Sequence, residues 1–242
     1  VYPEKYGGSG LTFVDFTTLL EEMGKALVPG PFLSTVLCGL AILKWGSEAQ
    51  KKDFLPRIAR GEAILSLALS EKDAAYSAAG IKVKAVADGN AFVINGTKLF
   101  VADAHVADYL LCVTRTKAGR NKEDGITLFL VDAKSPGISC TILKTFTGDK
   151  KCEVTFKNVR VPKSNMLGKA DQGWKIVDEL LGLAVFLQCP WMVGGTQQAL
   201  DKAAGQTEGN AFGEVAADLE RVILATTLRS TEESSFTWRV WI

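Results

Sequence analysis

The sequence predicts an α+β protein that runs helices, then strands, then helices again. Three observations carry this. Apolar residues recur at helical spacing through the first quarter of the chain. From Ala63 the period becomes two, broken by glycine, asparagine and proline turn signals. After Val161-Pro162 the helical period returns. Such a block order argues for segregated layers and against repeating βαβ units. The implied division is a helical domain at 1–62, a β-domain at 63–168 and a second helical domain at 169–242.

The first helix is expected across Leu11–Leu27, with Phe13, Phe16, Leu19, Leu20, Met23 and Leu27 on one face. Gly30 and Pro31 stop it. Ser34 is the expected N-cap of a second, nearly all-apolar helix to Trp45. Ser47 caps a third helix, Glu48–Ala59, in which Pro56 should kink or shorten the end.

Strands are expected at Ile64–Leu69, Ile81–Ala87, Ala91–Ile94, Lys98–Val101, Tyr109–Arg115, Thr127–Val131, Ile138–Leu143 and Cys152–Phe156. Asp88-Gly89-Asn90 and Asn95-Gly96 read as tight connections, the second as a hairpin turn. Short strands joined this way predict an antiparallel sandwich or barrel. Gly173–Lys202 reads as one long helix that Pro190 should bend. Further on, Val215–Leu228 is amphipathic and Phe236–Trp241 strongly apolar.

Composition narrows the function. Of 242 residues, 47% are apolar and 23% charged, with a formal net charge of +1. No basic block marks a nucleic-acid or anionic-membrane surface. The five cysteines are scattered singly, which suits free thiols and a cytoplasmic location. His105 is the only histidine, so neither a His-based metal site nor a Ser-His-Asp triad is expected. Leu180–Leu200 is the most apolar segment; Pro190, Gly194-Gly195 and three glutamines point to a core helix and not a membrane span. Val1 opens in mid-motif, so a native start elsewhere is expected.

The layout and several short strings resemble the acyl-CoA dehydrogenase family. Tyr6-Gly-Gly-Ser-Gly-Leu11 is similar to its Y-G-G-x-G-L loop, and Gly46-Ser-Glu-Ala-Gln-Lys-Lys-Asp-Phe-Leu-Pro56 to its G-[ST]-E-x-Q-K-x-x-[YF]-L-P segment. Ala68-Leu-Ser70-Glu71 resembles its A-L-T-E flavin strand. Asn95-Gly-Thr-Lys98, Val159-Arg-Val-Pro162 with Leu167-Gly168, and Ala199-Leu-Asp201 also match in order. The resemblance implies flavin adenine dinucleotide (FAD) between a β-domain and a four-helix C-terminal domain, in homo- or hetero-oligomers where a neighbour completes the site. It implies α,β-dehydrogenation of an acyl-CoA thioester, with electron-transfer flavoprotein as acceptor. Relative to that pattern, the first helices and most of the last domain are expected to be missing.

The resemblance places the flavin against Leu67, Leu69, Ser70, Phe100, Val101 and Ala102. Ser70 keeps the hydroxyl of the family's threonine, although it could simply end a strand. Phe100 stands where the family has tryptophan and could still stack on the ring. Ala102 lacks the hydroxyl that meets the reactive nitrogen. His105 follows, as either a cofactor-edge or a solvated turn residue. On the thioester side, Tyr76 replaces a serine, Ser77 follows it, and two glycines of the family's P-G-A-G-S-D are absent.

Removing the Cα proton needs a carboxylate base. One family branch places it where Ala184 precedes Val185, so that base is absent, and Glu179 reads as a solvent-facing charge. The other branch's E-G-T motif resembles the string that begins at Glu214, the candidate base. A competing alignment sets Phe212-Gly213 on the family's R-x-x-F-G segment and leaves Glu214 a surface charge. Three readings stay open: a dehydrogenase, a non-catalytic subunit of a hetero-oligomeric dehydrogenase, and a flavin monooxygenase or nitroalkane-oxidising relative on the same fold.

Overall fold

A computed structural model describes residues 1–73 and 76–205. These fall into two compact units: Val1–Leu11 with Pro29–Leu181, and Thr12–Val28 with the chain from Gly182.

In the second unit, helix α1 spans Phe13–Lys25. Thr12 starts it with a reciprocal cap, its hydroxyl accepting from the Asp15 amide and its own amide donating to the Asp15 carboxylate. The buried stripe is narrower than the spacing suggests: Phe16, Leu20 and Gly24 are buried, while Leu19 and Leu27 are exposed. Gly24 and Gly194 explain how α1 meets the long helix α4, Gly173–Gly205. A Cβ on Gly24 would lie 2.0 Å from the Trp191 carbonyl oxygen, and one on Gly194 would lie 1.9 Å from that of Glu21. Only hydrogen fits between these backbones. Phe13 meets Phe186 edge-on, with ring centroids 6.2 Å apart. Helix α4 continues through Pro190. By length and composition it could cross a bilayer, and only 22% of its most apolar window is buried in this chain. Within Leu180–Leu200 the expectation of a core helix holds for Leu180 and Leu187, but not for Phe186 or Met192.

In the first unit, α2 spans Phe32–Trp45 and buries every residue from Val36 to Ile42. It starts ahead of the expected cap: Pro31 holds the N-cap position, and the Ser34 hydroxyl lies inside the first turn, donating to the Pro31 carbonyl at 3.0 Å. Helix α3, Glu48–Ala59, has a reciprocal cap between Ser47 and Gln50. Gln50 also donates to the carbonyls of Ser164 and Met166, tying α3 to the end of the sheet. Pro56 falls in the last turn, so it shortens nothing before Ala59.

The strands are β1 (Leu65–Ala68), β2 (Lys84–Asp88), β3 (Ala91–Ala102), β4 (Tyr109–Arg115), β5 (Ile126–Asp132), β6 (Ile138–Ile142), β7 (Lys151–Pro162) and β8 (Met166–Leu167). They form one eight-stranded sheet in the order β6-β7-β3-β2-β4-β5-β8, with β1 beside β4. Most pairs are antiparallel, but β1 and β2 each run parallel to β4. One core cluster includes Ala85, Phe92, Ile94, Val101, Phe129, Cys152, Val154 and Phe156, and β4 and β5 are buried on both faces, with Leu111, Val113, Leu128 and Leu130 also inaccessible.

Asn95-Gly96 is not the hairpin turn its dipeptide suggests. The two strands expected on either side form a single strand, β3, and the register against β7 shifts between Ile94 and Gly96. The dipeptide makes a β-bulge. Gly96 has φ 137°, and a Cβ there would lie 2.8 Å from Val83 Cγ2. Turns and bulges both want positive φ, so the same residues suit either.

Candidate functional site

The A-L-S-E and K-L-F-V-A segments, distant in sequence, meet in the sheet. The Ser66 hydroxyl donates to the Ala102 carbonyl. The Leu99 amide donates to the Ser70 carbonyl at 2.9 Å. These two bonds lay residues 66–70 alongside 99–102. Between them β3 bulges a second time, its register against β7 shifting between Lys98 and Val101. Phe100 sits in that bulge with φ 56° and is 52% exposed. A bulky residue held in the left-handed region is uncommon, and such backbone is held by its surroundings and concentrates at functional sites. Here the bulge turns an aromatic ring out of a buried strand.

The expected cofactor residues therefore divide. Ser70, Leu67 and Ala102 are half-buried and Phe100 is exposed, so their side chains are reachable. Leu69 and Val101 point into the core and offer only backbone. The Ser70 hydroxyl makes no hydrogen bond to the described residues. An apolar plate beside a free hydroxyl and strand-end amides fits a flat aromatic ligand with a polar edge. A cleft of about 300 Å³ lined by Lys72, Thr97, Leu99 and Glu153 opens beside Leu99. A larger hollow, about 430 Å³, lies within the charged loop Arg120–Asp124 and includes none of these residues.

A buried ion pair holds the two segments. Lys98 is fully buried; its Nζ donates to the Glu71 carboxylate at 2.6 Å and to the Leu69 carbonyl at 3.0 Å. The same carboxylate accepts from the amides of Lys82 and Val83 at 3.0–3.2 Å. Burial pushes the Lys98 ammonium below the ordinary lysine range, against the pull of Glu71. Nothing in a single sequence marks this pair. Lysine between Thr97 and Leu99 reads as an ordinary polar strand residue, and its partner is 27 positions away.

Tyr76 and Ser77, the expected thioester-side residues, are exposed in the loop that Glu71 closes. Arg115 braces the far end of that loop. Its guanidinium donates to the carbonyls of Ala78 and Ile81, and also to those of Lys122 and Asp124. No hydrogen bond from the Tyr76 side chain reaches the described residues.

Beyond Ala102 the chain turns sharply at Asp103, φ 52°, whose amide donates to the Lys150 carbonyl at 2.7 Å. Burial holds the Asp103 carboxyl above its usual range, while His105 and Lys151 pull it down. His105 is exposed on this turn, with Nδ1 3.9 Å from the buried Cys152 Sγ.

On α4, Ala184 and Val185 are half-buried and carry no base. Glu179 is not the free solvent-facing charge that its spacing suggests. It is half-buried and pairs with Lys44 of α2. Glu214 and the apolar segment 236–241 lie outside the described residues. Among the described residues no group of histidine, cysteine or carboxylate side chains is arranged to hold a metal, and the five cysteines are free.

The scaffold and its strand ends define a class, and comparison with known proteins gives the family. The acyl-CoA dehydrogenase N-terminal domain matches residues 1–62, and the acyl-CoA dehydrogenase middle domain matches residues 66–159. The chain belongs to the acyl-CoA dehydrogenase family. It is 35% identical to the acyl-CoA dehydrogenase FadE29 of Mycobacterium tuberculosis over 73% of this chain and 46% of that protein. The chain thus spans about half the length of such curated relatives. Among solved structures it resembles butyryl-CoA dehydrogenase from Megasphaera elsdenii, with a TM-score of 0.85 and 26% identity, over 93% of this chain and 64% of that one. It also resembles the ChsE4-ChsE5 complex from Mycobacterium tuberculosis, with a TM-score of 0.76 and 26% identity, over 96% and 65% of the two chains.

Proposed function

We propose that this chain serves α,β-dehydrogenation of an acyl-CoA thioester, with FAD held at the joined ends of β1 and β3. The observation that carries the reading is the pairing of Ser70 with Leu99 and of Ser66 with Ala102, which joins the strand end bearing the Ser70 hydroxyl to the strand bearing the exposed Phe100. The family's cofactor is FAD, which residues 67–70 and 100–102 would hold and which would supply a hydride acceptor for Cβ of the thioester. This chain's own residues hold and orient. Phe100 offers a flat apolar face, and Ser70 donates a hydrogen bond to a polar edge. Glu71 and Lys98 fix the strand ends. Tyr76 and Ser77 border the thioester side, where Tyr76 fills space that a serine would leave open. Glu214 is the candidate to take the Cα proton, and an electron-transfer flavoprotein is the proposed acceptor.

A second reading is supported by particular residues. Ala102 brings no hydroxyl, Ala184 and Val185 bring no base, and Tyr76 is bulky. These suit a subunit that supports an active homologous partner, and a solved relative is a complex of two named chains. The test is the visible spectrum of the purified protein, alone and with a co-encoded homologue. A yellow protein that bleaches on adding an acyl-CoA supports the dehydrogenase reading and rules out the non-catalytic one. A colourless chain that acquires flavin only with the partner does the reverse. Retained bleaching in Glu214→Gln would remove Glu214 as the base.

A further inference from the structure

We infer that the buried Glu71–Lys98 pair is an electrostatic positioning device for the proposed cofactor edge, and not only a brace for the fold. This deepens, and rests on, the FAD reading given above. The pair sits between the two strand ends that would meet the ligand. Lys98 Nζ holds the Leu69 carbonyl, immediately before Ser70, and its own chain neighbour Leu99 donates to the Ser70 carbonyl. Glu71 directly follows Ser70 in the chain. Both charges are almost completely removed from water, with side-chain exposures of 0% and 9%. Solvent therefore screens little of their field.

While paired, the two charges nearly cancel at any nearby group. Remove one, and the other acts unscreened on whatever Ser70 contacts. The carboxylate has further partners in the Lys82 and Val83 amides, so it has donors left when Lys98 is gone. The ammonium keeps the Leu69 carbonyl when Glu71 is neutralised. Each single variant thus leaves one ionisable group, of known sign when charged, next to the proposed cofactor edge. Reducing a flavin adds negative charge, so a residual cation favours the reduced form and a residual anion disfavours it.

The test is the flavin reduction potential of the FAD-loaded full chain, purified with any homologous partner it needs, at pH 6. Glu71→Gln raises the potential relative to the parent. Lys98→Met lowers it. The double variant returns it close to the parent value, since neither charge remains. If Lys98→Met does not fold, Glu71→Gln and the double variant still decide the matter. A purely structural brace predicts something else: shifts of one sign in both single variants, or none, with the largest loss of bound flavin in the double variant. That result overturns the inference alone. A parent protein that takes up no FAD, with or without a partner, overturns the FAD reading and this inference together. The two failures are therefore distinguishable.

Discussion

Ser70-Glu71 and Tyr76-Ser77 are only a few residues apart, yet the fold treats them in opposite ways. The first pair is wired into the sheet: the Ser70 carbonyl takes the Leu99 amide, and the Glu71 carboxylate takes two amides and a buried ammonium. The second is exposed, and no hydrogen bond from the Tyr76 side chain reaches the described residues. Among the described residues the loop is held at its ends by Glu71 and Arg115, and by an exposed ion pair between Asp73 and Lys82. The difference fits the two roles proposed for these segments. A cofactor edge works by staying where it is, so its position is over-determined. A substrate wall can change its side chain without disturbing the sheet. Departures from the family pattern fall in the loop, at Tyr76 and the two absent glycines, and also at the end of β3, at Phe100 and Ala102.

Substitutions on the two sides sharpen this contrast. The largest expected effect is at Lys98. Lys98→Met leaves Glu71 buried without its cation and should cost about 3–5 kcal/mol of folding stability, read from a denaturant midpoint. The pH dependence carries the sign of the lysine's shift. Because the folded ammonium lies below the ordinary lysine range, the folded chain binds fewer protons than the unfolded chain between that lowered value and about 10.4. Stability from this group rises with pH across that window, and Lys98→Met abolishes the rise. Next comes the first bulge of β3. Gly96→Val places a β-branched residue at φ 137° against Val83 and should cost about 1–3 kcal/mol. Ser70→Ala should leave the denaturant midpoint nearly unchanged and weaken FAD binding about three- to tenfold, the worth of one hydrogen bond. Unchanged FAD occupancy would move the flavin edge away from Ser70. Smallest for stability is Tyr76→Ser, within about 0.5 kcal/mol. Its effect should show instead in acyl-CoA binding, so a large loss of stability would contradict an unwired loop.

Much of the scaffold was legible from periodicity. The apolar run Val36–Ile42, the capped start at Ser47 and the strand Tyr109–Arg115 have local causes and stand where the sequence puts them, whereas β2 starts three residues after the expected Ile81 and β7 runs on to Pro162. Asn95-Gly96 was misread because a bulge and a turn ask the same backbone angle of the same residues. Parallel pairing of β1 and β2 with β4 depends on how the chain crosses the sheet, which alternation does not encode. The motif strings singled out Ser70 and Phe100 as candidates. They did not reveal that a second bulge turns Phe100 outward, or that Leu69 and Val101 face the core. Glu71 and Lys98 stood inside quoted motifs as identifiers only; their meeting is a tertiary event. The same holds for Arg115, whose four carbonyl partners lie on separate loops.

The joined ends of β1 and β3 are the proposed seat of the flavin. Hydrogen–deuterium exchange of the chain with and without FAD tests it most directly. Protection should rise at Ser70-Glu71 and across Leu99–Asp103 and stay unchanged in the loop Arg120–Asp124. Bound FAD that leaves both strand ends exchanging as in the free chain would contradict the account.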